Sequence, residues 1–235
     1  MNISNIHNQT SFSARSPKLR EADKICRLIN AEFPAISGTK FAEFDTAQNN
    51  QQMLTAINAI NEKLYHNIRI PFDRSYSQWG PLQGIVDLIT LVKEFRIANC
   101  GEFAKLCAAI CNINGIEVVQ PGLTLVTKDN RLTAKNIDHA VIMFKPKKNI
   151  MLKRMRDLKD AIIIDPWLGI VDFAPNIEQK FKSEYAKFFK IPENCDIALT
   201  TWTADRIKYN EEISAKLKKL FPQFIIKKDK PLILH

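Results

Sequence analysis

The stretch Asn99-Cys100-Gly101-Glu102-Phe103-Ala104-Lys105-Leu106-Cys107, running on through Asn114-Gly115 into Ile116-Glu117-Val118, divides the chain into two halves of different character. Asn99 has the short polar side chain of a helix N-cap. Glu102, three residues on, can reach back to the cap amide as in a capping box. Gly115 closes the helix so begun. Cys100 therefore falls in the first turn, where unpaired backbone N–H groups and the positive end of the helix dipole favour a thiolate, the reactive form of cysteine. Gly101 beside it leaves room for a substrate to approach. The same cysteine also reads as a small buried apolar residue, as do Cys107 and Cys111 behind it at helical spacing.

Upstream of this helix the periodicity is helical. Residues 1–15 lack periodicity and are expected to be a flexible tail. Ser16-Pro17 reads as an N-cap and first helical position, opening a helix to about Asn30 with the stripe Leu19, Ala22, Cys26 and Ile29. Asp45 or Thr46 caps a second helix carrying Met53, Ala56, Ile57, Ile60 and Leu64, expected to end near His66. Pro71 to Gly80 reads as a turn-rich stretch, followed by a helix from about Leu82 to Phe95 that buries Ile85, Leu88, Ile89 and Val92. Downstream, Ile116 to Thr127, Ala140 to Phe144 and Ala161 to Ile164 have the β-branched, alternating character of strands. Residues 176–189 and 203–220 return to helical patterning around a possible strand at Ile197 to Thr201. Helices first and sheet later, with antiparallel turns between strands, is an α+β arrangement. The expected organisation is one domain over residues 16–235, divided into a helical portion (16–96), a core (97–200) and a C-terminal helix with a basic tail (201–235).

Composition bounds the rest. The chain has 235 residues, 46% hydrophobic and 25% charged, with 7 Gly and 11 Pro, which excludes collagen-like, disordered and disulfide-stapled classes. Lysine and arginine number 34 against 25 acidic residues, a formal charge of +9, which favours acidic partners. Five cysteines without repeated short spacing indicate neither a disulfide framework nor a zinc module, and fit a reducing compartment. No apolar stretch approaches a membrane span and the first residues lack a signal-peptide core, so a soluble, cytoplasmic protein is expected. Cys107 and Cys111 have no partners to complete a tetrahedral site, and no phosphate-binding glycine loop or dinucleotide fingerprint occurs. Neither a metal nor a cofactor is therefore expected.

A thiolate nucleophile needs a base that later returns a proton to the leaving group, and imidazole serves near neutral pH. His7 lies in the tail and His235 ends the chain, which leaves His66 and His139 in structured context. His139 begins the strand Ala140 to Phe144 and alternates onto the face of Val141 and Met143. The imidazole in turn needs a group that fixes its tautomer. Asp165 ends the apolar strand Ala161 to Ile164 and is followed by Pro166, with Asp138, Asp160 and Asp172 as competitors.

These segments resemble a known family. Asn99 to Ala104 with the following helix, Asp138-His139-Ala140-Val141 and Ile164-Asp165-Pro166-Trp167 are similar, in the same order, to the nucleophile helix, the His-Ala strand and the Asp-Pro strand end of the transglutaminase-like superfamily. The likeness covers about residues 97–170. It implies a papain-like fold, with the helical N-terminal part packed on an antiparallel sheet, and a catalytic triad of Cys100, His139 and Asp165. It further implies attack on an amide, either a Gln side chain or a peptide, of a protein substrate that is acidic or Gln-presenting. A thioester then resolves to deamidation, transamidation or proteolysis. Family members draw a second oxyanion donor from an indole or a Gln upstream of the nucleophile, which makes Trp79 and Gln83 candidates; Asn99, Gly101 and Trp167 are further candidates for contacting substrate. The long interval after His139 holds Lys145, Lys147, Lys148, Lys153, Arg154, Arg156 and Lys159, and reads as an inserted basic hairpin or loop.

Two other readings remain open. Acyl transfer to an arylamine, as in arylamine N-acetyltransferases, shares the triad logic. A basic module binding nucleic acid or anionic membrane, without catalysis, would use the 145–159 run and the tail Lys216, Lys218, Lys219, Lys227, Lys228 and Lys230, although aromatics able to stack on bases are sparse there. The Lys-, Asn- and Ile-heavy composition without a signal peptide also suits a bacterial effector delivered into a host cell.

Overall fold

The structure is a computed structural model and describes residues 16–37, 51–129, 132–144, 146, 150–201 and 211–227. The expected tail 1–15, the caps Asp45 and Thr46, Lys145, Lys147, Lys148, Lys228, Lys230 and the first part of the 203–220 helix lie outside the described residues. The chain is a mixture of helices and antiparallel sheet.

Helix α1 (Pro17–Glu32) starts as its sequence directs: Ser16 Oγ accepts from the Leu19 amide at 3.2 Å, and Pro17 occupies a position whose N–H would have no helical partner. It buries Leu19, Ala22, Ile25, Cys26 and Ile29. Helix α2 (Gln51–Leu64) does not end near His66. It widens into a π-helical turn, Tyr65–Arg69, and continues as α3 (Ile70–Trp79), so the expected turn at Pro71 to Gly80 is helical instead. The Ile70 amide bonds five residues back to the Tyr65 carbonyl, and Pro71, which has no amide to donate, follows at the start of α3. The break comes only at Gly80, whose φ of 84° favours glycine, and Pro81 opens α4 (Pro81–Phe95). Gly84 lets α4 lie directly against Tyr76 of α3.

Helix α5 (Cys100–Ile113) is the centre of the molecule, with every residue from Glu102 to Ile113 buried except Lys105. It packs against α1, α4, the strands β1 (Val118–Val119) and β4 (Ile142–Phe144), and the C-terminal helix α8 (Glu211–Leu220).

The long β run after Gly115 is split at Gln120-Pro121 and feeds two sheets. The first has the order β1-β4-β6-β7, with β6 at Ile162–Asp165 and β7 at Ile170–Phe173. The second is β3-β2-β8-β5, made of Leu132–Asn136, Gly122–Thr127, Cys195–Thr200 and Lys153–Arg154. All pairings are antiparallel. Strand alternation divides the interior in two. Ile142, Ile162 and Ile164 face the cluster around α1 and α5, whereas Val141, Met143 and Ile163 face a second cluster with Leu123, Ile197 and the helix α6 (Ala174–Lys182). The expected helix 176–189 is interrupted after Lys182 and resumes as the short α7 (Ala186–Phe189).

The basic insert is corrected in part. Lys153 and Arg154 form an edge strand on β8 instead of a free hairpin. Arg154 and Arg156 meet Asp196 at 3.3 and 3.1 Å, and Lys182 meets Asp196 and Glu178 at 2.9 and 2.8 Å. Their charges neutralise two buried carboxylates, so these cations are not a free docking surface. Among the described residues no helix is long and apolar enough to cross a membrane, and no group of His, Cys, Asp and Glu could hold a metal ion.

Candidate active site

Cys100 is the first residue of α5, and the capping box expected from Asn99 and Glu102 is formed: the Asn99 amide donates to Glu102 Oε2 at 3.0 Å. Of the five cysteines, Cys100 alone is not buried. Burial, with the nearby Asp165 charge, pushes the Cys26 thiol up to about 12, and burial also raises Cys107 well above its ordinary value. Both are therefore poor nucleophiles.

His139 and Asp165 meet across the first sheet, where β4 and β6 are hydrogen-bonded neighbours. The backbone turns tightly before the strand, with the His139 amide donating to the Ile137 carbonyl at 2.9 Å. The strand itself begins at Ile142, two residues later than expected. His139 Nε2 lies 2.6 Å from Asp165 Oδ2, and the imidazole is hydrogen-bonded to Cys100. Since a carboxylate only accepts, Nε2 carries the proton toward Asp165, and the bond to Cys100 falls to Nδ1. Asp165 is fully buried, and its other oxygen accepts the Leu168 amide at 3.0 Å. Burial disfavours the imidazolium, but the Asp165 charge and hydrogen bond, together with Cys100, outweigh it and push His139 from 6.5 up to about 10.

The structure brings Cys100, His139 and Asp165 together as expected and leaves the competitors elsewhere. Asp172 pairs with Lys180 and Asn176, Asp160 is exposed, Asp138 is exposed on the rim, and His66 lies exposed against Tyr65. The pair His139–Asp165 is shut from water by aromatic rings, with Trp167, Phe181 and Phe189 centroids 5.3, 5.8 and 5.0 Å from the imidazole; its side chains are 3% and 0% exposed.

An open cleft of about 520 Å³ lies over Cys100 and His139, lined also by Gly101, Gln120, Leu123, Thr124, Asp138 and Arg69. Gly101 has open space where a Cβ would stand. Four expectations are corrected. Trp79 is 74% exposed and, with Gln83, lines a separate depression over α3 and α4; Gln83 bonds to Asp87. Neither lines the cleft, because the chain between them turns at Gly80 on the far side of the helical hairpin. Asn99 is buried as a cap and does not line the cleft. Trp167 is 3% exposed and walls His139 from behind, its indole N–H donating to Ser37 Oγ at 3.0 Å, which in turn donates to Asn99 Oδ1 at 2.7 Å.

Sequence reasoning missed Arg69, Gln120, Ser37 and the Phe181–Phe189 wall. Arg69 sits 31 positions before Cys100 on a helix read as ended, and no local pattern marks it. Ser37 joins the site only through the parallel bridge Ile36–Ile97. Comparison with family models, with curated proteins and with solved structures finds no match for this chain.

Proposed function

We propose that the chain is a papain-like, transglutaminase-like thiol enzyme that breaks an amide through a thioester on Cys100. The observation that carries this reading is the His139 ring held between Asp165, at 2.6 Å, and the only half-exposed cysteine, at the N-terminus of a buried helix and the floor of a cleft.

The residues divide the work as follows. Asp165 keeps the proton on Nε2, so Nδ1 takes the proton of Cys100 and an imidazolium stands beside the thiolate. The thiolate attacks the amide carbon, and the negative oxygen is met by the free amide at the start of α5. Gln120, which lines the cleft and has no hydrogen-bond partner among the described residues, is the second donor in place of Trp79 and Gln83. As the C–N bond breaks, Nδ1–H passes its proton to the departing nitrogen, leaving the acyl group on sulfur. His139 then takes a proton from water or an amine, whose oxygen or nitrogen attacks the thioester, and the thiol is regenerated. Water gives hydrolysis or deamidation; a lysine gives transamidation; an arylamine acceptor uses the same thioester. The helical portion, the sheet and the C-terminal helix together form the catalytic domain in this reading, and an effector role for the protein remains part of it. A basic binding module is less well supported, since Arg154, Arg156 and Lys182 are engaged by buried carboxylates.

Alkylation of the intact protein with iodoacetamide, followed by mapping of the modified cysteine, tests the reading. Cys100 is expected to react selectively at mildly acidic pH, and His139→Ala to abolish that selectivity. Equal modification of Cys195 or Cys111 would refute it. Mass spectrometry of glutamine-presenting proteins then distinguishes a deamidated side chain, a crosslink and a cut chain.

A further inference from the structure

Arg69 is the last residue of the π-helical turn between α2 and α3, and it lines the cleft beside Cys100. Its Nε and Nη2 hold the two Glu102 oxygens at 2.9 and 3.3 Å, a side-on bidentate pair with a carboxylate that is 2% exposed. Glu102 is fixed in turn by the Asn99 amide. The guanidinium is thus locked in place by the same residue that caps the nucleophile helix, while its side chain stays 44% exposed.

A guanidinium has two edges that fit a carboxylate. Glu102 occupies the Nε–Nη2 edge, and the Nη1–Nη2 end edge makes no hydrogen bond among the described residues. We propose that this end edge of Arg69 is a specificity element that receives a carboxylate carried by the acyl donor. The proposal rests on the reading of Cys100 as the nucleophile and names the class of substrate it takes. Three observations support it. The arginine is pre-oriented, so little side-chain freedom is lost on binding. It sits in a widened helical turn, a feature frequent at functional sites. It also faces the same cleft as the thiol, so that a carboxylate a few bonds from the reacting carbonyl reaches it. Asp138, exposed on the rim, acts on Arg69 through its charge, opposes an incoming anion and limits the affinity. The carboxylate belongs either to an acidic side chain or to a chain terminus.

The test compares the alkylation rates of Cys100 by iodoacetate and iodoacetamide in the full-length protein, read as a ratio so that general slowing cancels. The imidazolium attracts iodoacetate in every variant, so only changes in the ratio report on Arg69. Arg69→Gln is expected to lower the iodoacetate-to-iodoacetamide ratio by roughly tenfold, the scale of one charge-assisted hydrogen bond, and Arg69→Lys by less. Asp138→Asn, at an exposed position, is expected to raise the ratio about twofold to fivefold, and Arg69→Lys keeps the test open if Arg69→Gln fails to fold. Protection by N-acetylglutamine, which carries only the α-carboxylate, or by N-acetylglutamate α-amide, which carries only the side-chain one, identifies the source when that protection is lost in Arg69→Gln and weakened in Arg69→Lys. A rapidly alkylated Cys100 whose ratio ignores the folded Arg69 substitutions overturns the inference alone. A Cys100 that reacts no faster than in the unfolded protein overturns the functional reading and the inference together.

Discussion

Asp165→Asn removes one charge from the buried pair and nearly preserves its shape, which makes it the sharpest probe of the site. Asp165 answers two donors at once, the Leu168 amide on Oδ1 and His139 Nε2–H on Oδ2. Asparagine has one acceptor oxygen. If it stays on Leu168, the amide N–H₂ faces Nε2 and forces the imidazole proton onto Nδ1, where it confronts Cys100 instead of accepting from it. Turnover through the thioester is then expected to fall by about three to four orders of magnitude, the cost of a wrong tautomer in a comparable triad. The charge effect is separable by pH. His139 titrates at about 10 in the fold against 6.5 ordinarily, so the folded protein holds a proton that the unfolded chain has released between those values. This stabilisation is complete below pH 6.5 and is lost as pH rises toward 10, with a full extent of roughly 5 kcal/mol. In Asp165→Asn the carboxylate's charge no longer offsets burial and only Cys100 still favours the imidazolium, so His139 is expected to titrate lower and that alkaline loss to shrink. Urea unfolding at a series of pH values, beside the pH profile of Cys100 alkylation, checks both effects. An Asp165→Asn protein that still loses stability from pH 7 to 10 as the parent does, and alkylates with the same profile, refutes the pairing.

Other perturbations address the scaffold. Ser37→Ala removes the acceptor of the Trp167 indole and the donor to Asn99 Oδ1; a loss of about 1–3 kcal/mol in urea unfolding and slower Cys100 alkylation are expected, with Ser37→Thr restoring much of both. Gly84→Ala would put a Cβ 2.9 Å from that of Tyr76, so thermal unfolding should show a cost of roughly 1–3 kcal/mol despite alanine's better helix propensity, whereas Gly101→Ala meets nothing within 4 Å and should fold at least as stably. Asp196 is pushed up by burial but held below the usual carboxylate range by the hydrogen bond and charge of Lys182, with Arg156 and Arg154 adding to it. Its stabilisation is present above pH about 4 and lost on acidification through its lowered pKa. Asp196→Asn should therefore cost about 3–5 kcal/mol at neutral pH and flatten the acid limb of the stability profile.

Local chemistry made some elements legible and left others hidden. The α1 and α5 boundaries followed from Ser16-Pro17 and from the Asn99–Glu102 box, because capping is decided within four residues. The strands at β4, β6 and β8 were visible because their buried residues are β-branched or alternate. Pro71 misled because proline is acceptable at the start of a helical segment, and nothing local reveals that α2 reaches it through a π turn. The edge strands β5 and β7 are short, and β5 is a Lys-Arg pair whose strand character comes only from its neighbour β8. Within the positive run, Arg154 and Arg156 looked like free surface because their counter-charge, Asp196, lies on a strand far along the chain.

The site was legible to the extent that it is made of motif residues: Cys100, His139 and Asp165 each stand at an element end that the sequence marks. Their supporting groups are not, since Arg69, Ser37, Phe181 and Phe189 come from four separate segments and meet only in the fold. That support bears on function. Glu102, Asn99, Ser37 and Asp165 are all buried, and all cluster where α5 begins. Burying such groups costs several kcal/mol apiece unless each is paired, and aliphatic residues of similar volume would stabilise the same junction more cheaply. Here each is paired with a definite partner, Arg69, Ser37, Trp167 or His139, and every pairing fixes the position of the thiol or the tautomer of the imidazole. A junction built only for stability has no use for that precision, which is why the catalytic reading of Cys100 is preferred to that of one more buried cysteine.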